Sequence, residues 1–310
     1  RNIKEVEILI TIRNKKGKIY KQFKKYITHV KSYTINLKKE INFEQFNNLF
    51  IGSIELEVFS KYDMVYPYPA FVINFDGLNN SSAVHTCGRV YNDKDDAISN
   101  NKFVVPETGF DIVANEKFNP FFSFVNGRKE LKKFKILLQF INSYSHKKNK
   151  ILKFKKLTAY ETCFITFLDK KDRVFFNNKK GTVKIHHNFK SFFPRFLAGS
   201  FDKKKYDSSI THTYYDLSKK KDSSQYWINP NPKKYFDSSV AIPLLIKENM
   251  KTELAIYPNF SKSKFKLNLE IFDQNGKKIG KIKNFQIINE HFNFTKHLNI
   301  NNIINSNNIN

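Results

Sequence analysis

Two six-residue segments contain the residues best suited to chemistry. Positions 81–86 read SSAVHT and positions 208–213 read SSITHT, so both end in His-Thr. Side chains alternate between the two faces of a strand, which places His85 and Arg89 on one face. Together they could bind a carboxylate, a sulfate or a phosphate, because guanidinium and imidazole groups both donate hydrogen bonds to anions.

The second segment continues as YYDLS, and a strand would place four of its side chains on one face: Ile210, His212, Tyr214 and Asp216. Asp216 could orient His212 or stabilise its charged form. A structural role competes with ligand binding in both segments, with each histidine bonded to the backbone or to a nearby hydroxyl group. We favour the structural role, with ligand binding second and catalysis third.

Arg195 is a further candidate for ligand binding. It lies in FFPRFLAGS (192–200), and only six of the 54 basic residues are arginine. Its aromatic neighbours could give a cation–π contact or a platform on which a sugar or a base stacks. A strand that enters a sheet at a proline-marked edge explains the same residues, and we favour that interpretation.

Known catalytic and metal-binding motifs are missing from the chain. It contains no P-loop, no Gly-X-Gly-X-X-Gly, no Gly-X-Ser-X-Gly and no His-Glu-X-X-His. No group of Cys, His or carboxylate residues has zinc or calcium spacing, and the neighbours His186 and His187 diverge in a strand. We therefore expect no cofactor and no metal, and the sequence identifies no catalytic residue.

The elements that position these residues are strands. Apolar residues alternate with polar ones in VEILITI (6–12), GSIELEVF (52–59) and FKLNLEIF (265–272), which is typical of antiparallel sheets with one buried face. The segments NKKGK (14–18) and DQNGKK (273–278) follow strands as hairpin turns do. One short helix is expected in NFEQFNNLF (42–50), with Asn42 as its N-cap. The sequence thus predicts an all-β fold.

The chain also repeats itself at the scale of a domain. Four pairs of residues recur in the same order: Ile8 and Ile136, Gly52 and Gly181, Pro67 and Pro194, and His85 and His212, which are 128, 129, 127 and 127 residues apart. Gly17 and Gly276 are 259 residues apart, close to twice that spacing. This period far exceeds that of solenoids and propeller blades.

We therefore predict tandem, duplicated β-sandwich-like domains, two complete and a third partial. The predicted boundaries are 1–95 for copy one, 96–130 for connecting strands, 131–217 for copy two, 218–262 for connecting strands, 263–298 for the partial third copy and 299–310 for a low-complexity tail. The connecting segments have apolar stretches of their own, which favours edge strands packed on the domains.

The net charge of +26 bears on partners. Lysine, asparagine, isoleucine and phenylalanine are all frequent, as in proteins from AT-rich genomes. A basic field attracts polyanions, although lysine runs such as KKNKILKFKK (147–156) are most simply solvated faces. No apolar run approaches the ~20 residues of a membrane span, and Cys87 and Cys163 do not form a disulfide framework. The chain starts at Arg1, which suggests a missing N-terminal region, and the sequence favours neither a cytoplasmic nor an extracellular location.

Three functions are compatible with these features. The first is a non-enzymatic binding or structural protein of repeated β-domains that recognises an acidic glycan or another polyanion. The alternative is a carbohydrate-active enzyme with a site between copies one and two, formed by His85, Arg89, His212 and Asp216. Nucleic-acid binding ranks last because no RNA-binding motif accompanies the charge.

Overall fold

The computed structural model describes two compact units, Arg1–Thr213 and Tyr214–Asn310. The described residues are 6–29, 31–47, 49–61, 71–77, 81–85, 107–187, 189, 196–202, 208–215, 241, 244, 252–256, 259–260, 265–288, 291–292 and 296–306. Strands dominate them, which confirms the all-β prediction. Among the helices of these ranges, none is both long enough and apolar enough to cross a membrane.

The first unit is built from thirteen described strands and three short helices. The strands are β1 (Val6–Asn14), β2 (Ile19–Ile27), β3 (Gly52–Ser60), β4 (Val72–Asp76), β5 (Ser81–His85), β6 (Glu107–Val113), β7 (Phe118–Val125), β8 (Leu131–Asn142), β9 (Lys147–Leu157), β10 (Thr162–Thr166), β11 (Lys180–His186), β12 (Leu197–Asp202) and β13 (Ser208–His212). The helices are α1 (Leu37–Glu40), the 3₁₀ helix η1 (Phe43–Phe46) and α2 (Lys170–Phe175).

A three-stranded antiparallel sheet begins this unit, in the order β2–β1–β3. Ile10 and Ile12 are fully buried on one face of β1, as the alternation of the sequence predicts. Its hairpin turn rests on the segment 158–162, because Thr162 donates its N–H to the carbonyl oxygen of Lys15 at 2.9 Å. A side chain at Gly17 would come within 2.2 Å of the Ala159 carbonyl oxygen, so only glycine permits this approach.

Two further antiparallel sheets of the unit share one core. One has the order β10–β7–β12–β13, and the other contains β6–β11–β8–β9. Alternate residues of both sheets fill the space between them, and five of these residues are phenylalanines: Phe110, Phe122, Phe124, Phe134 and Phe140. Phe189 and Phe196, which lie outside the strands, complete this part of the core. Strands β4 and β5 form a separate hairpin.

Strand β7 corrects the expectation that the segment 96–130 supplies edge strands. It pairs with β10 on one side and with β12 on the other, so it is an interior strand of its sheet. The reason is the alternation in FNPFFSFV, which buries Phe122 and Phe124 in the shared core. Pro120 does not prevent this position, although it lacks the N–H that an interior strand normally donates.

The predicted helix cap at Asn42 is present. The Asn42 side chain accepts a hydrogen bond from the Glu44 N–H at 3.2 Å and starts η1. Helix α2 begins with a reciprocal cap, in which Asp169 and Asp172 each accept from the backbone N–H of the other. Asparagine and aspartate are favoured at this position because their short side chains reach the N–H groups that the first turn leaves unpaired.

The second unit has its own elements and a small core. The elements are β14 (Tyr214–Tyr215), β15 (Glu253–Ile256), β16 (Asn259–Phe260), β17 (Phe265–Phe272), β18 (Lys278–Ile288), β19 (His291–Phe292), β20 (Lys296–Asn299) and α3 (Ile300–Ser306). Strand β15 pairs with β20, β16 with β19 and β17 with β18, all antiparallel. Ile271, Ile300 and Ile304 form the buried cluster of the described part of this unit.

Candidate functional site

Strands β5 and β13, which contain the described parts of the two His-Thr segments, lie side by side in the first unit. Strand β5 ends at His85 and β13 ends at His212. The Ile210 N–H donates to the Ser82 hydroxyl oxygen at 3.1 Å, which joins the two strands. Since Ser82 lies beside Ile210 and His85 beside His212, the strands run in the same direction and their histidines meet at corresponding ends.

The two imidazole rings are in direct contact. Their centres are 5.2 Å apart and their planes are inclined at 79°, an edge-to-face arrangement. Both side chains are half-buried, whereas Val84 on the opposite face of β5 is almost completely buried. The His212 Nδ1 atom lies 2.7 Å from the carbonyl oxygen of Thr213. The distance of 5.2 Å is well inside the range over which two groups can reach one ligand.

Four other candidates cannot be compared with this geometry. Arg89, Arg195 and Asp216 lie outside the described residues. Tyr214 belongs to β14, and its side chain is not among those described. The structure therefore brings together His85 and His212, and the binding roles assigned to all six residues stay predictions.

A second candidate surface is the outer face of the β8–β9 hairpin. On the inner face Phe134 stacks on Phe154 with ring centres 4.6 Å apart. On the outer face Lys135 lies directly opposite Lys153 in the strand register. Further along that face the cross-strand pairs are Leu137 with Ile151, Gln139 with Asn149 and Ile141 with Lys147. We call Lys135, Lys147, Asn149, Ile151 and Lys153 the lysine face; all five are exposed.

The cationic groups of this hairpin differ in their partners. Lys132 and Lys156, also directly opposite each other, share the carboxylate of Glu130 at 3.5 and 2.5 Å. The Lys156 ammonium is the main reason why the pKa of Glu130 lies below its usual value. For Lys135 and Lys153, by contrast, no ion pair forms with any described residue. Like charges directly opposite each other destabilise a strand pair, so an external anion would stabilise this one.

Two more lysines of β9 serve the fold. Lys148 and Lys150 donate to the two carboxylate oxygens of Asp172 at 2.7 and 2.6 Å, and Asp172 is almost completely buried. Burial opposes the charge of Lys150, but hydrogen bonds to Asp172 and Asp169 outweigh it and raise its pKa. The same bond with Lys150 lowers the pKa of Asp169 to about 2. These ion pairs attach α2 to the hairpin.

Two groups that the fold shields from solvent, one fully and one partly, are unsuited to catalysis. Burial, and secondarily the Glu161 charge, raises the pKa of the Cys163 thiol to about 12, so the free thiol stays protonated and unreactive at neutral pH. His187 stacks on Phe189 with ring centres 4.6 Å apart, and burial lowers its pKa to about 4. Within the described ranges, no three His, Cys, Asp or Glu side chains lie close enough together to hold a metal ion.

Some important residues were not indicated by sequence. Arg173 is buried and donates to the carbonyl oxygens of Ala114, Asn115 and Phe118, which fixes the turn between β6 and β7. The rarity of arginine in the chain was the feature of the sequence that could have drawn attention to Arg173. For Asp172, the signal was the spacing of two aspartates in DKKD, which fits a reciprocal helix cap.

Comparison with known proteins gives no relative. No protein-family model, no curated protein and no solved structure matches this chain.

Proposed function

We propose that this protein is a non-enzymatic binding protein of repeated β-domains, and that its lysine face recognises an acidic polysaccharide. The observation that carries the proposal is the cross-strand pair Lys135 and Lys153 on the outer face of the β8–β9 hairpin. The repeated architecture and the recognition of a polyanion are supported by separate features.

Three hairpin turns support the repeat. Each starts at a residue whose side-chain oxygen accepts from the N–H groups two and four residues later: Asn14, Asn142 and Asp273. In each, the backbone N–H of that first residue also pairs with the carbonyl oxygen four residues later. The third residue after the first has a positive φ in all three, of 80° at Gly17, 64° at Ser145 and 79° at Gly276. The first residues are 128 (142 − 14) and 131 (273 − 142) positions apart.

Short helices and sheet orders support the repeat as well. The capping residues Asn42, Asp169 and Asn299 each accept a backbone hydrogen bond in the first turn of a helix. They are 127 (169 − 42) and 130 (299 − 169) residues apart. The orders β2–β1–β3 and β9–β8–β11 correspond, because in both a hairpin pairs through its first strand with the strand that follows a helix. The hairpins β4–β5 and β12–β13 then follow in the same relative order.

The arrangement of the lysine face favours an extended anionic ligand. Lys147 and Lys153 are six residues apart on β9, which is about 20 Å at the ~3.3 Å rise of a strand. A small anion could not contact both ammonium groups, whereas a polymer of a few charged sugar units could. Each ammonium group attracts one carboxylate or sulfate, and salt weakens the attraction because the groups are exposed.

The residues between the lysines favour a sugar over a nucleic acid. Asn149 offers an amide that can exchange hydrogen bonds with hydroxyl groups, and Ile151, 57% exposed, offers an apolar surface. Binding of single-stranded nucleic acid usually depends on exposed aromatic rings on which bases stack. Neither strand presents an aromatic ring on the lysine face.

Affinity chromatography tests the proposal. The full chain is applied at low salt to columns carrying a sulfated polysaccharide, a uronate polysaccharide and single-stranded DNA, and eluted with salt. We expect retention on at least one polysaccharide column. The double variant Lys135→Gln/Lys153→Gln should elute at clearly lower salt than the parent. The matched control Lys18→Gln/Lys38→Gln removes the same charge at exposed positions outside the lysine face.

Each result has a defined meaning. Equal elution of the two double variants would contradict a specific lysine face and leave only a response to net charge. Stronger retention on DNA than on both polysaccharides would favour nucleic acid. Lack of retention on every column would overturn the proposal. Far-UV circular dichroism of both variants confirms that they fold.

A second candidate function is a carbohydrate-active enzyme that uses His85 and His212. The contact of the two rings at 5.2 Å favours it, because groups that act on one substrate must converge. A panel of chromogenic glycosides and acidic polysaccharides tests it. Activity that is lost in His212→Gln and kept in His146→Gln would support the enzyme, and an inactive parent would contradict it.

A further inference from the structure

We propose that β17 pairs edge to edge with β17 of a second copy of this chain, so that their two hairpins form one continuous antiparallel sheet. The inference concerns how the chain associates, and it does not rest on the lysine face or on the two histidines. Three observations support it: the open edge of β17, the use of the same edge by corresponding strands of the first unit, and a self-complementary sequence.

One edge of β17 has no partner in the described part of the chain. There β17 (Phe265–Phe272) pairs with β18 alone, so the N–H and C=O groups on its other side meet no described strand. Such an edge is a template on which another strand can pair. The irregularity of the hairpin lies on β18, where Ile282 and Gln286 are opposite Leu269 and Leu267, so β17 itself keeps a regular edge.

The corresponding strands of the first unit use this edge for pairing. Strand β1 pairs with β2 on one side and, antiparallel, with β3 on the other, and β8 lies in the same way between β9 and β11. The turn of the β17–β18 hairpin has the same hydrogen bonds, with Asp273 in the place of Asn14 and Asn142. The open side of β17 is therefore the side on which β1 and β8 accept an antiparallel strand.

The sequence of β17 is complementary to itself. Leu267 and Leu269 are half-buried on one face, and Lys266, Asn268 and Glu270 are exposed on the other. Antiparallel strands place directly opposite side chains on the same face, so the two copies must align apolar with apolar residues. When Asn268 faces Asn268 of the second copy, Lys266 of each copy lies opposite Glu270 of the other. In the same register Leu267 lies opposite Leu269.

Charge selects this register. A two-fold axis makes every contact twice, so both ends of the paired strands gain a Lys–Glu pair. Opposite charges that face each other across strands stabilise the pairing, and like charges destabilise it. The register in which Leu269 faces itself would put Lys266 opposite Phe272 and would pair no charges.

The charged groups are available for these contacts. Lys266 forms no ion pair with any residue that the structure describes. Glu270 contacts the ammonium groups of Lys278 and Lys281 at 2.6 and 2.8 Å, and both contacts use its Oε1 atom. Its Oε2 atom has no partner within the described ranges, so it can accept from Lys266 of a second copy.

Sedimentation equilibrium of the full chain over a wide range of concentrations tests the association, in moderate salt because the net charge of +26 makes two copies repel each other. The parent should show a monomer–dimer equilibrium. Lys266→Glu and Glu270→Lys each place like charges opposite each other twice, and each should raise the dimer dissociation constant at least about tenfold. An equimolar mixture of the two variants should dimerise as the parent does, because every glutamate then faces a lysine.

The matched control is Lys277→Glu, which makes the same change of charge at an exposed turn position and should dimerise as the parent does. A parent that stays monomeric at every concentration would overturn the proposal. So would a mixture that associates as weakly as the single variants. Equal weakening by Lys277→Glu would show a response to net charge alone and would also overturn it.

Disulfide cross-linking gives an independent measurement without reversal of any charge. Directly opposite Cα atoms of antiparallel strands are about 4.5–5.5 Å apart, a distance that a disulfide spans. In a Cys87→Ser background, in which the remaining Cys163 is buried, Asn268→Cys should form a covalent dimer on mild oxidation. The control Gln274→Cys, at an exposed position in the turn after β17, should not. Equal cross-linking at both positions, or none at position 268, would overturn the proposal.

Discussion

Removal of the His187 imidazole should make the stability of the first unit less sensitive to mild acid. An unperturbed histidine has a pKa of about 6.5, and burial, with a smaller contribution from the neighbouring His186, lowers that of His187 to about 4. The Phe189 N–H donates to the His187 Nδ1 at 3.2 Å, so the folded chain holds the neutral ring as an acceptor. The unfolded chain has neither the burial nor this bond.

The sign and size of the effect follow from the two pKa values. Between pH 6.5 and pH 4 the unfolded chain takes up a proton that the folded chain excludes, so stability falls as the pH falls through this window. The values differ by about 2.5 units (6.5 − 4), and each unit corresponds to about 1.4 kcal/mol. The free energy of unfolding therefore falls by about 3 kcal/mol over the whole window, and about 2 kcal/mol of this loss has occurred by pH 5.

Urea unfolding of the parent, His187→Phe and His187→Asn at pH 7 and pH 5 measures this loss. Phenylalanine at position 187 preserves the stacking on Phe189, and asparagine preserves an acceptor for the backbone N–H of Phe189. The two variants therefore separate packing from hydrogen bonding. Both should lose about 2 kcal/mol less than the parent between the two pH values. His146→Asn, at an exposed histidine, should behave as the parent does. If the parent and both position-187 variants lose stability equally, the folded chain does not hold His187 in its neutral form.

The remaining predictions concern a turn and an ion pair. Gly17→Ala should lower the free energy of unfolding by clearly more than Gly276→Ala, because both residues have a φ near 80° but only Gly17 is pressed against another segment among the described residues. Urea unfolding of both variants measures this, and equal losses would contradict docking of the 14–18 turn on 158–162. Asp172→Asn should destabilise the first unit by about 3 kcal/mol, because it leaves Lys148 and Lys150 without their buried carboxylate. A melting temperature within one degree of the parent's would contradict this role.

Features that depend on adjacent residues could be predicted from the sequence. The cap at Asn42 and the turn at 273–278 need only their own few residues to form, because their hydrogen bonds span two to four positions. The buried face of β1 follows in the same way from alternation. Such local interactions are encoded where they occur, so the sequence shows them directly.

Features that depend on strand register could not be predicted. Lys135 and Lys153 lie opposite each other only because the turn between β8 and β9 fixes the pairing. The run 147–156 read as a solvated face, yet Lys148 and Lys150 hold the buried Asp172, which lies 24 and 22 residues further along. The alternative hypothesis placed His85 and His212 in one site, but the repeat that pairs them does not determine that their rings, 127 residues apart in the sequence, are in contact. Composition and spacing do not indicate which residues so far apart in the sequence come into contact in the fold.

In the second segment, the histidine and the threonine of the shared His-Thr dipeptide have different roles. Thr213 is completely buried, and its N–H donates to the Phe196 carbonyl oxygen at 3.0 Å. The Thr213 hydroxyl donates to the same oxygen at 3.5 Å, and this bond together with the burial accounts for a threonine directly after β13 on structural grounds. His212 is only half-buried, and its Nδ1–H is used by a carbonyl oxygen one residue away, which leaves Nε2 for another partner. The structural interpretation of the motif therefore applies to the threonine, and the histidine is the residue that binding experiments should address.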